Sequence, residues 1–153
     1  MALAYKEILV AVDGSDEAGL AFKKSIGIAK RNNANLNLIY VADPRTYTPI
    51  RLHGVDTEQQ AFKYGRELLE KYKAEAVDAG VENVNNIVTS GSPKRVIARD
   101  FAKQVEADLI ICGASGINAL ERFMLGSVSQ HIVRSSPCDV LVVRIPDPEE
   151  EVN

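Results

Sequence analysis

The sequence predicts a single doubly wound α/β domain, and two features carry that prediction. Four short apolar runs recur along the chain, Ile8–Val12, Leu36–Ala42, Leu109–Cys112 and Val140–Val143, and most are continuous rather than alternating. Strands buried on both faces have this pattern, as they do in a parallel sheet. The segments between the runs have helical periodicity, and strand–helix alternation at this spacing, with right-handed crossovers, places helices on both faces of one sheet. Ligands of such folds bind outside the carboxyl ends of the strands, where the strand order reverses.

Each element follows in turn. After the first strand, Ser15 or Asp16 can cap a helix whose apolar positions are Ala18, Leu20, Ala21, Ile26, Ile28 and Ala29, and which ends near Asn32 and Asn33. The second strand leads into Asp43 to Asp56, a long surface loop with Pro44, Tyr47, Pro49, His53 and Gly54. The longest helix runs from about Thr57 to Ala79, with Thr57 as cap, Gly80 as stop, and Phe62, Leu68, Leu69, Tyr72 and Val77 as its core stripe. A weaker run with a polar start, Val84–Thr89, is the edge strand. Gly91-Ser92-Pro93 opens a third helix with Val96, Ile97 and Phe101 on one face, since proline suits a first helical turn. A fourth helix spans roughly Ser127 to Arg134, before the last strand. The domain covers 1–146, and the acidic, prolyl stretch 147–153 reads as a frayed tail.

At 153 residues, 46% hydrophobic and 25% charged, the chain has the composition of one globular domain. A net charge of −3 supplies no basic footprint for nucleic acid. No stretch approaches the roughly 20 apolar residues that span a bilayer, and the start of the chain lacks the basic and apolar regions of an export signal. Cys112 and Cys138 have no metal-ligand spacing and read as free thiols in a reducing compartment. The expected location is the cytoplasm, with neither nucleic acid nor membrane as partner.

The chemistry concentrates after the fourth strand. Gly113-Ala-Ser-Gly116, nine residues, then Gly126-Ser127-Val128-Ser129 reads as a phosphate cradle. Glycine admits an anion where a Cβ would clash, and a helix starting at Ser127 aims unpaired N–H groups and its positive dipole end at that anion. The hydroxyls of Ser127 and Ser129 add donors, and Arg122 either neutralises a polyphosphate or is simply an exposed arginine. Two further strand ends converge there, Ala11-Val12-Asp13-Gly14-Ser15 and Val41-Ala42-Asp43-Pro44. Asp13 can accept hydrogen bonds from a nucleoside, help hold a phosphate-bound metal, or cap the first helix. There is no P-loop, and the glycines follow the fourth strand rather than the first, so the usual dinucleotide fingerprint does not fit. His131 reads as structural, Ser15 has no nucleophile-elbow setting, and Cys112, directly before the cradle, has nothing near it in sequence to activate its thiol. No residue is assigned a catalytic role.

Ile8-Leu-Val-Ala-Val-Asp-Gly-Ser15, the Gly113-x2-Gly116-x9-Gly126-Ser127 motif and Pro137-Cys-Asp-Val-Leu-Val-Val143 together resemble the ATP-binding branch of the universal stress proteins, over nearly the whole chain. The resemblance implies a five-stranded parallel sheet of order 3-2-1-4-5 with four helices, a Rossmann-like arrangement, and a nucleotide across the ends of the first, second and fourth strands. It implies that Ala11 is a wall position, that Asp13 is the acidic residue of the site, and that the backbone of Val41 reads the adenine edge. Gly113 and Gly116 then lie near ribose and phosphates, with Gly126, Ser127, Val128 and Ser129 as the phosphate-binding turn and helix start; Val12, Cys112 and Arg122 are expected to contact the nucleotide as well. The implied cofactor is ATP with Mg2+ or Mn2+, and the implied assembly is a homodimer through the last strand, Asp139 to Arg144. The function so implied is a nucleotide-dependent regulatory or signalling dimer in stress response. The alternative is a slow metal-dependent ATPase or adenylyl-transfer enzyme, for which the sequence supplies no positioned base.

Overall fold

Local capping chemistry sets the helix ends of the computed structural model, which describes residues 3–46, 57–115 and 125–146. After strand β1 (Glu7–Ala11), helix α1 (Asp16–Asn32) starts where Ser15 Oγ accepts the Ala18 N–H at 3.2 Å. It stops at Asn33, which is left-handed at φ 53°: the Asn33 N–H donates to Lys30 O and the Ala34 N–H to Ala29 O. Helix α2 (Thr57–Asp78) ends the same way, with Gly80 at φ 108°, its N–H on Val77 O and the Val81 N–H on Ala76 O. Both are the paired closing bonds that satisfy the last helical carbonyls.

Strands β2 (Asn35–Ala42) and β3 (Val84–Ser90) flank α2, and a 3₁₀ turn, Pro44–Thr46, follows β2. Helix α3 is a continuous helical run in three parts, Pro93–Arg95, a π-helical stretch Val96–Phe101, and Ala102–Gln104. The widened turn lets three consecutive residues, Val96, Ile97 and Ala98, all be buried. The α3 terminus repeats the same closing pair, with Glu106 rather than glycine in the left-handed position at φ 55°. Strand β4 (Leu109–Gly113), helix α4 (Ser127–Ser135) and strand β5 (Asp139–Val143) complete the chain.

The five strands are parallel in the order β3-β2-β1-β4-β5. On one face, Phe22 and Ala29 of α1 and Leu69 and Ala76 of α2 pack on Ile8, Val10, Leu36, Leu38 and Ile111. On the other, Val96, Ile97 and Ala102 of α3 and Ile132 of α4 pack on Leu9, Ile39 and Ile110. β3 is an edge strand, as its polar start predicts. The last strand departs from its sequence pattern: as the other edge it alternates, with Val143 buried and Leu141 36% exposed. In α2, Ala76 takes the core position and Val77 faces outward, because one helical step rotates a neighbouring side chain by about 100°.

Candidate functional site

The strand order reverses at β1, and there the sheet splits. The β1–β4 pairing ends at Val10 and Ile111, and the last β1–β2 rung is the Val12 N–H on Ile39 O at 2.9 Å. Reversed strand order opens a crevice at this end of the sheet: Ala11 and Val12 carry the last rungs to β2 and Asp13 follows them, while Cys112 and Gly113 end β4 on the other side. β2 runs further than β1. Its main-chain groups alternate in direction: Ile39 O serves β1, whereas Ala42 O accepts the Gly91 N–H on the β3 side at 3.0 Å. Alternation therefore turns the N–H and C=O of Val41 toward the β1 side, past the last rung. This directs the main chain of Val41 into the crevice, while its side chain packs in the core with Ile39.

The turn after β1 is built by its own polar groups. Asp13 Oδ1 accepts the Ser15 N–H at 2.9 Å, and Ser15 in turn caps α1. Asp13 is half-buried, with its carboxylate at the strand end. Gly14 has φ 88°, and a Cβ there would run into the Tyr64 hydroxyl of α2. Tyr64 therefore lies over this turn from a helix in which nothing in the sequence singles it out.

Across the crevice, Gly113 is buried against α1. A Cβ on it would lie 3.2 Å from Ala18 N and from the carbonyl carbon of Glu17. This glycine thus brings strand and helix together, and its carbonyl accepts the Ser129 hydroxyl at 2.6 Å. That bond seats the first turn of α4 on β4. Gly126, the residue before the helix, offers no capping side chain, and its N–H donates to Ala114 O at 2.7 Å. Ser127 is exposed, and Val128 packs against the second core. Ser129's hydroxyl is committed to the fold, so what this turn can offer an anion is its main-chain N–H groups and the Ser127 hydroxyl. Gly116 and Arg122 lie outside the described residues.

Cys112 is buried beneath this turn, and burial pushes its thiol up to about 11, against a smaller opposing effect of a Ser129 hydrogen bond. It packs in the core, where burial disfavours the nucleophilic thiolate. His131 is half-buried one turn along α4.

At the β2 end, Arg45 forms a two-point ion pair with Asp43, Nη2 to Oδ2 at 2.7 Å and Nε to Oδ1 at 3.0 Å. The guanidinium holds the Asp43 carboxyl below its usual value. The sequence pattern did not expose Glu17, whose carboxylate accepts the N–H and Oγ of Ser115 at 2.6 and 2.8 Å. An acid in a first helical turn is ordinary dipole chemistry, so its reach across the fold has no local signature. Among the described residues no three His, Cys, Asp or Glu side chains are grouped to hold a metal ion, and no helix is long and apolar enough to cross a membrane.

The crevice can therefore hold a flat, hydrogen-bonding group against Val41, a hydroxylated group near Asp13, and an anion at the start of α4. The model of the universal stress protein family matches residues 4–144. A putative universal stress protein of Staphylococcus saprophyticus is 49% identical over 149 residues, 97% of this chain and 89% of the relative. Universal stress protein UspA from Lactobacillus plantarum superposes with a TM-score of 0.79 at 33% identity, covering 94% of this chain and 100% of that one. A universal stress protein solved in complex with cAMP superposes at 0.68 with 28% identity, over 92% of this chain and 98% of its own.

Proposed function

The chain belongs to the universal stress protein family, and from that premise we propose that it is an ATP-binding regulatory protein acting as a homodimer in stress response. The observation that carries the nucleotide reading is the split at β1. It leaves the Val41 main chain beyond the last rung on one side and the start of α4, seated by Ser129 on Gly113, on the other. Adenine then lies along Val41, ribose by Asp13 with Ala11 and Val12 as wall, and phosphates at Gly126, Ser127, Val128 and Ser129. Gly116 and Arg122 belong to the same proposal. A relative crystallised with cAMP supports an adenine nucleotide as the class of ligand. The accompanying Mg2+ or Mn2+ is held chiefly by the phosphates, with the Asp13 carboxylate as the protein oxygen ligand the proposal offers it.

The dimer reading rests on β5. This edge strand carries Leu141, 36% exposed, with Ile145 just beyond it at 50% and Val133 of α4 at 52%. An apolar, unpaired edge favours pairing with a second copy. Calorimetric titration of nucleotide-stripped protein with ATP, ADP, AMP and cAMP in magnesium tests the site, and saturable ATP binding is expected. Asp13→Asn keeps an acceptor for the Ser15 N–H but removes the charge, and is expected to weaken ATP about tenfold. Absence of binding by any adenine nucleotide overturns the reading. Light scattering tests the dimer: Leu141→Arg is expected to give monomers, and a wild-type monomer at micromolar concentration overturns it.

A further inference from the structure

We propose that Glu17 is a positioning residue that ties the turn after β4 to the carboxyl end of β5, so that occupancy of the crevice is transmitted to the β5 edge. The proposal deepens the nucleotide reading above and rests on it.

Two parallel ties connect these regions. Ala114, fully buried, donates its N–H to Val143 O at 2.9 Å and accepts the Gly126 N–H at 2.7 Å. One peptide segment thus joins the start of α4 to the last residue of β5. The second tie is the Glu17 carboxylate. Oε1 takes the N–H and hydroxyl of Ser115, and Oε2 takes the N–H of Ile145 at 3.3 Å. Ser115 and Ile145 are far from Glu17 in sequence, and one side chain holds both.

The carboxylate is suited to this because it accepts on both oxygens, whereas an amide accepts on one and donates from the other. It also sits in the first turn of α1, where the helix dipole favours negative charge and donors bind it as charge-assisted partners. That turn is fixed on two further sides. Its main chain lies against Gly113, and Ser15, which caps it, is bonded to Asp13. A ligand that draws on Asp13 or on residues 113–115 therefore acts on the same short helical turn that holds Ile145. Ile145 in turn flanks the apolar edge around Leu141.

The test uses the full chain, with calorimetry for ATP affinity and NMR amide exchange at Ser115 and Ile145, with and without saturating Mg-ATP. In the wild type, ATP is expected to slow exchange at both amides. Glu17→Gln keeps an acceptor for Ser115 but opposes a donor to the Ile145 N–H. Without nucleotide, it is expected to speed exchange at Ile145 about threefold to tenfold; with ATP, it protects Ser115 alone. Glu17→Asp, which keeps the charge but is one methylene shorter, serves as the second variant and is expected to show the same loss at Ile145. If either variant still passes the ATP effect to Ile145, or if the wild type binds ATP without change at Ile145, the coupling is overturned and the nucleotide reading stands. If the wild type binds no adenine nucleotide, the nucleotide reading fails and the coupling falls with it.

Discussion

Replacing Gly65 with alanine sets two physical effects of opposite sign against each other. Gly65 lies inside α2, where alanine is favoured over glycine by about 0.8–1.0 kcal/mol. On helix propensity alone, Gly65→Ala stabilises. The new Cβ, however, would lie 2.9 Å from Cγ and Cε1 of the Tyr40 ring on β2. The ring has little room to retreat, because it also packs edge-on to Tyr64, with centroids 5.7 Å apart and planes at 63°. Overpacking of this kind costs about 1–3 kcal/mol, and a contact this short draws the upper half of that range. Subtracting the propensity gain leaves a net loss of about 1–2 kcal/mol. For a domain of this size that is a Tm lower by about 2–8 °C. Urea and thermal unfolding measure it directly. On a Tyr40→Ala background, which lacks every ring atom the new Cβ meets, Gly65→Ala is expected to recover the propensity gain, so the two changes are non-additive. A Gly65→Ala protein more stable than wild type by about 1 kcal/mol would refute the reasoning.

Ser129→Ala deletes the hydroxyl that donates to the Gly113 carbonyl at 2.6 Å in a buried setting, and is expected to destabilise by about 1–3 kcal/mol; an unchanged urea midpoint counts against the seat it provides for α4. In the folded protein at pH 8, iodoacetamide is expected to modify half-buried Cys138 and spare Cys112, which is buried with its thiol pushed up to about 11; mass spectrometry showing equal rates would contradict that. Asp43, depressed by the Arg45 guanidinium, contributes stability present above its unfolded value of about 3.9 and lost as pH falls through the lower folded value. An NMR titration of the Asp43 carboxyl is expected to give a low midpoint that rises in Arg45→Ala, and a midpoint indifferent to Arg45 would remove the ion pair as its cause.

Much of the fold is legible because its signals are local. The continuous runs Ile8–Val12 and Leu109–Cys112 mark strands covered on both faces, and Ser15 opens a helix while Asn33 and Gly80 close helices, by bonds spanning three to five residues. The glycine and serine stretches mark the ends of β1 and β4 for the same reason, since a tight turn or a helix start constrains only its neighbours. Local rules fail where a distant partner decides. Val77 fits an apolar stripe, but Ala76 is the residue that meets the sheet. Glu106 ends α3 in a left-handed position that the pattern would assign to glycine.

The sequence by itself determined the alternation of strands and helices, the sheet's buried centre and the glycine- and serine-rich turns that end β1 and β4. Periodicity, capping and glycine freedom are properties of a few adjacent residues. Only the tertiary structure decided that Gly113 is a helix contact, that the Ser129 hydroxyl is held by a carbonyl 16 residues away, that Gly65 exists for Tyr40, and that Glu17 holds Ser115 and Ile145 together. Those pairings follow from strand register and helix packing, which bring together atoms that lie far apart along the chain.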